Sequence, residues 1–193
     1  MLDHLVYLVP DLPAAVTRFT ALGYPPSPGG RHLSRGTYNA LLRLGNRQYL
    51  ELLAVDPVTD IPPPRWMGVD RTTKSRISRW AASAGAIHDG RPVVSGSREL
   101  PGGTTLRWTL TDPGTDPPVA VLPFLIDWGT DGLHPADGLP DLGLQLGALR
   151  LYHPAPDGIN AELAALGLPQ KVIRGPAPKI EAVIRGPKGE FTL

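Results

Sequence analysis

Glu51 is the residue whose surroundings most need a chemical explanation. It sits in Tyr49-Leu50-Glu51-Leu52-Leu53, an apolar run with strand-like alternation, where an ionised carboxylate costs free energy unless it is paired, hydrogen-bonded or bound to a metal. His4 lies in a second run of this kind, LDHLVYLV at residues 2–9. Imidazole with carboxylate can work as acid and base or as half of a metal site, so His4 and Glu51 are the candidate catalytic pair. The plainer alternative is a buried pair that satisfies its own polarity. His32 and Asn39 are candidates for orienting a ligand, or for satisfying turn backbone groups. Tyr49 and Trp108 either line a binding site or pack a core. Arg107, between Leu106 and Trp108, either binds a carboxylate or is solvated. His134 and His153 each precede a proline in loop-like context, so both are expected at the surface. Gly29-Gly30 and Gly102-Gly103 read as turns, since no Lys-Ser/Thr follows either to make a phosphate loop. No serine stands in a Gly-x-Ser-x-Gly elbow.

The elements that must position these residues can be read from periodicity. Residues 2–9 form a strand covered on both faces, with Leu2, His4, Val6 and Leu8 on one and Asp3, Leu5, Tyr7 and Val9 on the other. Pro10 ends it. Asp11 reads as an N-cap, Pro13 fits the first helical turn, and Leu12, Ala15, Val16, Phe19 and Leu22 carry a helix to Gly23. Residues 25–30 read as a turn-rich loop with room for a further short strand. Two strands then meet at Gly45-Asn46, the second holding Glu51. DPVTDIPPP at 56–64 is a linker, and residues 65–74 suggest a short helix or lid. Strands are expected at 77–82, 92–100, 104–111 and 119–128, and a loop at 129–140.

Composition bounds the function classes. The 193 residues are 41% hydrophobic and 19% charged, ordinary for a globular chain. Nineteen basic against 18 acidic residues give a net charge of +1, which argues against nucleic acid or an anionic membrane as partner. The absence of cysteine excludes disulfides, thiolate metal sites and a cysteine nucleophile. No apolar run approaches the roughly 20 residues of a membrane span, and the N-terminus carries no signal-like segment, so a cytoplasmic location is expected. Abundant Pro (23) and Gly (22) fit short strands joined by turns.

The last block repeats the first. Pro10 matches Pro154, Ala21-Leu22-Gly23 matches Ala165-Leu166-Gly167, and Pro25 matches Pro169 at one offset. After a two-residue shift, Ala40-Leu41-Leu42-Arg43 matches Ala182-Val183-Ile184-Arg185 and Tyr49 falls opposite Phe191. A β-α-β-β pattern is thus expected again from about residue 142. The middle block, closing with LPFLIDW at 122–128, reads as a copy without its helix.

The N-terminal Leu-Asp-His strand, Gly36-Thr37-x-Asn39 preceded by His32, and the closing Tyr49-Leu50-Glu51-Leu52 together resemble the vicinal oxygen chelate superfamily, within it the glyoxalase-like domain group. The resemblance covers residues 1 to about 130. It implies an α+β fold of repeated βαβββ modules in a curved mixed sheet, as in glyoxalases, bleomycin-resistance proteins and dihydroxybiphenyl dioxygenases. Modules 1–55 and 75–130 would pair, and 140–193 would be a third related module, a truncated repeat of the first. It further implies a divalent metal in the cup between modules, held by His4 and Glu51 with equivalents from the partner module. Those equivalents are missing: Ala148 and Thr192 or Leu193 stand in the third block, and Trp80 or Ala82 with Ile126 in the middle one. Only Asp127 could coordinate, and only in a register that turns it inward. A metal is therefore implied but not favoured, since catalytic sites normally present three protein ligands. The implied function is binding or transformation of a small molecule, as a metal-assisted lyase, isomerase or dioxygenase-like enzyme, or as a metal-free protein that sequesters its ligand. Modules pairing within one chain or between two both fit the pattern, so a homodimer is one expected form.

Overall fold

The computed structural model describes residues 1–85, 87, 90–99, 105–130 and 132–193, with the side chains of residues 98 and 99 left out. The expected Gly102-Gly103 turn, and the strand ends expected at Leu100 and Thr104, lie outside the described residues.

Strand β1 (Leu2–Leu8) is buried along its whole length, as its two-sided apolar pattern requires. Helix α1 (Leu12–Ala21) begins where Asp11 accepts a hydrogen bond from the Ala14 amide at 2.8 Å, and it buries Leu12 and Phe19. Strands β2 (Ser27–His32), β3 (Thr37–Arg43) and β4 (Tyr49–Val55) follow. β2 takes up most of the loop expected at 25–30 and supplies the further short strand for which it left room. Pro28 and two glycines are tolerated because β2 is the outermost strand and skips a residue between Pro28 and Gly30.

The expected short helix after the linker is a kinked 3-10 turn, Trp66–Arg71, interrupted by left-handed Met67 and Gly68. Strands β5 (Arg76–Ser83), β6 (Val93–Glu99), β7 (Thr105–Thr111) and β8 (Phe124–Asp127) form the second half of the sheet. The strand expected over 119–128 is thus shortened to four residues. Residues 119–123 instead cross behind β5, where the Ala120 amide donates to Ser78 O at 2.9 Å and the Trp80 indole N–H to Val121 O at 2.7 Å.

These eight strands make one sheet in the order β2-β3-β4-β1-β5-β8-β7-β6. β1 runs parallel to β4, β5 parallel to β8, and β1 antiparallel to β5. The two halves therefore have the same order reflected about the β1–β5 seam, which gives the curved mixed sheet of the vicinal oxygen chelate fold. One face carries Val6, Leu8, Leu53, Ala81, Phe124 and Ile126. The other carries Leu5, Tyr7, Leu50, Leu52, Trp80 and Ala82.

The last block has the element order β9 (Gln145–His153), α2 (Pro156–Ala165), β10 (Val172–Arg174), β11 (Lys179–Gly186), β12 (Gly189–Thr192). Its strand order, β10-β9-β11-β12, differs from the first half's β2-β3-β4-β1. The hairpin from β11 to β12 closes at Gly186 and Gly189, with β11 beside β9 and β12 at the edge. This sheet packs on the outer face of the large one: Leu151, Leu163, Ile180, Ala182 and Ile184 share a core with Leu5, Trp80 and Ala82. β11 thus covers β5, where no helix connects β5 to β6 among the described residues. Among those residues no helix is long and apolar enough to cross a membrane.

Candidate functional site in the cup of the eight-stranded sheet

The concave face encloses a cleft of about 810 Å³ lined by both halves of the sheet. β4 presents Tyr49 and Glu51 to it, β3 presents Asn39 and Leu41, β1 presents His4, and the second half adds Trp108, Phe124 and Ile126. The two-residue strand period brings these side chains to one face.

Glu51 is buried. Its Oε1 accepts a hydrogen bond from Asn39 Nδ2 at 2.6 Å, and Asn39 Oδ1 accepts one from the Gly30 amide at 2.8 Å, which fixes the amide's orientation. Glu51 Oε2 lies 3.9 Å from His4 Nε2. The His4 ring stacks on Tyr49, with centroids 4.5 Å apart at 14°, and its Nδ1 meets Asp3 Oδ1 at 2.7 Å.

Asp3 is the residue that strand periodicity misplaces. Alternation puts it on the face opposite His4, but the pairing of β1 with β5 steps from Leu2↔Ala82 to His4↔Ala81. That bulge turns Asp3 toward the same end of the cup. There Asp3 Oδ2 accepts hydrogen bonds from Ser83 Oγ at 2.7 Å, Trp128 Nε1 at 3.0 Å and His134 Nε2 at 3.3 Å. Burial pushes its carboxyl up, yet the hydrogen bonds from His134 and His4 together with the charge of His4, and that from Ser83, outweigh it and hold Asp3 far below the usual carboxylate range. His134 is thus no surface histidine: its side chain is 6% exposed, and its Nδ1 accepts the Ala136 amide at 3.1 Å, leaving Nε2–H for Asp3. His153 is tied locally to the Ala155 backbone.

An ionised Asp3 can only accept, so His4 donates through Nδ1. Its Nε2 then faces Glu51 Oε2 across 3.9 Å. That separation is longer than a hydrogen bond, so both atoms are open to a polar group of a ligand.

His32, Arg107, Trp108 and Asp127 also line the cleft, at different places on its wall. His32 Nδ1 lies 2.9 Å from Thr37 Oγ1, and its ring meets Trp66 edge-on at 6.1 Å. Trp108 lines the cup and Arg107 is exposed at its border. Asp127 borders the cleft, but its Oδ1 accepts the Gly129 amide at 2.8 Å, and it is Ile126 that belongs to the cup's apolar floor. Trp80 and Ala82 belong to the outer face, so the β5 counterpart of His4 is Ala81, its direct partner across the seam. Ala148 and Thr192 lie in the four-stranded sheet. Arg35, missed from the sequence, reaches over the Trp66 ring at 5.2 Å and lies 3.9 Å from Asp112 Oδ2. Arg79, facing the cup from β5, is sealed off with Nη2 donating to Pro117 O at 2.6 Å. Burial, opposed by Asp116 and aided by Arg76 and Arg71, pulls its pKa down to about 10.

The donor set does not suit a resident divalent metal. His4 Nε2 and Glu51 Oε2 converge, but their counterparts in the second half are Ala81 and Ile126, and among the described residues no group of three His, Asp or Glu could hold an ion.

Residues 2–167 match the glyoxalase-like domain family. The chain therefore belongs to that family, and its fold is that of the vicinal oxygen chelate superfamily. Among solved structures, a hypothetical protein from Staphylococcus aureus is 14% identical with a TM-score of 0.68, covering 99% of this chain and 97% of its own. That likeness takes in the four-stranded sheet, beyond the residue-130 limit of the sequence resemblance. Methylmalonyl-CoA epimerase from Mycobacterium tuberculosis is 17% identical with a TM-score of 0.44, covering 66% of this chain and 86% of its own. No curated protein matches the sequence.

Proposed function

We propose that the cup binds a small organic molecule without a resident metal, and that Glu51 accepts a hydrogen bond from the ligand's donor beside His4. The observation that carries this is the facing of Glu51 Oε2 and His4 Nε2 across 3.9 Å, beyond hydrogen-bond length, in the cleft. Its volume of about 810 Å³ falls within the roughly 300–1,000 Å³ of ligand pockets. A second reading, proton transfer by Glu51 to or from the bound molecule, has its own support. Asp3 fixes the His4 tautomer and Asn39 holds one Glu51 oxygen, which leaves the other oxygen free to move a proton.

The test joins elemental mass spectrometry of untagged protein to an NMR screen of small molecules with and without an O–H or N–H donor. Substoichiometric metal is expected, with donor-bearing hits whose affinity falls about tenfold in Glu51→Gln, the scale of one hydrogen bond to a charged group. Stoichiometric metal that disappears in Glu51→Ala would overturn the metal-free reading.

A further inference from the structure

The far wall of the cup is built on a close approach that requires glycine. Gly96 of β6 stands directly opposite Trp108 of β7, and a Cβ on residue 96 would collide with the indole at Nε1, Cε2 and Cζ2. The ring therefore leans over the β6 backbone, in space any other side chain would claim, and lines the cup. Beside it, Trp128 lies with its ring centroid 5.7 Å away at 57°, anchored from behind by its N–H bond to Asp3. Phe124 adds a third aromatic surface, edge-on to His4 at 5.4 Å. A wall of flat, polarisable rings facing the Glu51 carboxylate discriminates by shape. A planar conjugated ring gains stacking beyond its buried area, whereas an aliphatic chain gains area alone.

On the reading that the cup is a binding site, we infer that its ligand is a planar aromatic molecule that stacks on Trp108 and directs an O–H or N–H donor to Glu51. The cleft of about 810 Å³ accommodates fused rings. Gly96 is then a specificity-determining residue, because it sets the tilt of the indole.

Isothermal titration of the full chain with 2-naphthol, 2-methoxynaphthalene and 1-octanol separates ring from donor. 2-Naphthol should bind one to one, about tenfold tighter than either of the others. Trp108→Leu should weaken both naphthalenes about fivefold and leave 1-octanol within about twofold. Gly96→Ala keeps the indole but pushes it off the strand, and should reproduce the effect of Trp108→Leu with the fold intact by near-ultraviolet circular dichroism. If 1-octanol binds as tightly as 2-naphthol and still depends on Glu51, the aromatic preference is overturned while the cup remains a binding site. If the wild-type chain binds none of the three, both inferences fall.

Discussion

The Asp3 carboxylate accepts hydrogen bonds from His4, Ser83, Trp128 and His134 at a point with 1% of its surface exposed. It joins β1, β5 and the segment after β8, so the cup's end depends on one ionised group. Asp3→Asn would turn an N–H₂ toward groups that are themselves donors, leaving some of them buried and unpaired. The expected loss is about 3 kcal/mol at pH 7 in urea denaturation, the scale for breaking a buried charged pair. The pH dependence has a defined sign. A carboxyl whose folded pKa is depressed contributes stability that is complete above its ordinary value of 3.8 and is lost as pH falls toward the folded value. The difference between wild type and Asp3→Asn should therefore be flat from pH 7 to about 5 and shrink below about 4. A difference that stays flat down to about pH 3 would show that the Asp3 charge is not what stabilises this end of the cup.

Two bulges place the chemistry. One brings Asp3 round to the His4 side, and the other lets β2 skip Gly29 so that the Gly30 amide meets Asn39 Oδ1. A side chain at Gly29 would collide with Asn39 Oδ1, so Gly29→Ala should push the Asn39 amide off Glu51. A cost of about 1–3 kcal/mol is expected from overpacking, with the Asn39 side-chain amide resonances moving toward solvent-like values. Unchanged resonances would show that β2 adjusts instead. These bulges also mark where sequence reasoning stops. His4 and Glu51 stand out because a charged or polar group interrupts an apolar strand, and their meeting follows from the alternation of β1 and β4. Asp3 could not be read in the same way, since one extra residue in β1 reverses what a period of two assigns. β2 was obscured by Pro28, Gly29 and Gly30, whose local preferences say turn while the edge of the sheet tolerates them. His134 looks like a loop histidine from its neighbours, and long-range contacts with Asp3, Tyr49 and Trp128 make it part of the site.

At the scale of the molecule, the repeat between the first and last blocks foretold the order of elements but not the order of strands. Matching residue types constrain which segments become strands. They do not constrain which strand lies beside β9, a choice bound up with the surface the block must cover. That surface is the outer face of β5 and β1, where Trp80 is fully buried within a core that also contains Ile184 and Leu151 of the four-stranded sheet. A core shared this way couples the two sheets energetically, so neither buries its apolar face without the other. Unfolding should follow a single cooperative transition, with circular dichroism and tryptophan emission coinciding in urea. Ile184→Ala on the small sheet and Leu5→Ala on the large one should each cost about 2–5 kcal/mol and shift that one transition without splitting it. An early transition in Ile184→Ala that leaves the cup tryptophans unperturbed would instead show that the eight-stranded sheet stands alone, and that the four-stranded sheet is an appendage to it.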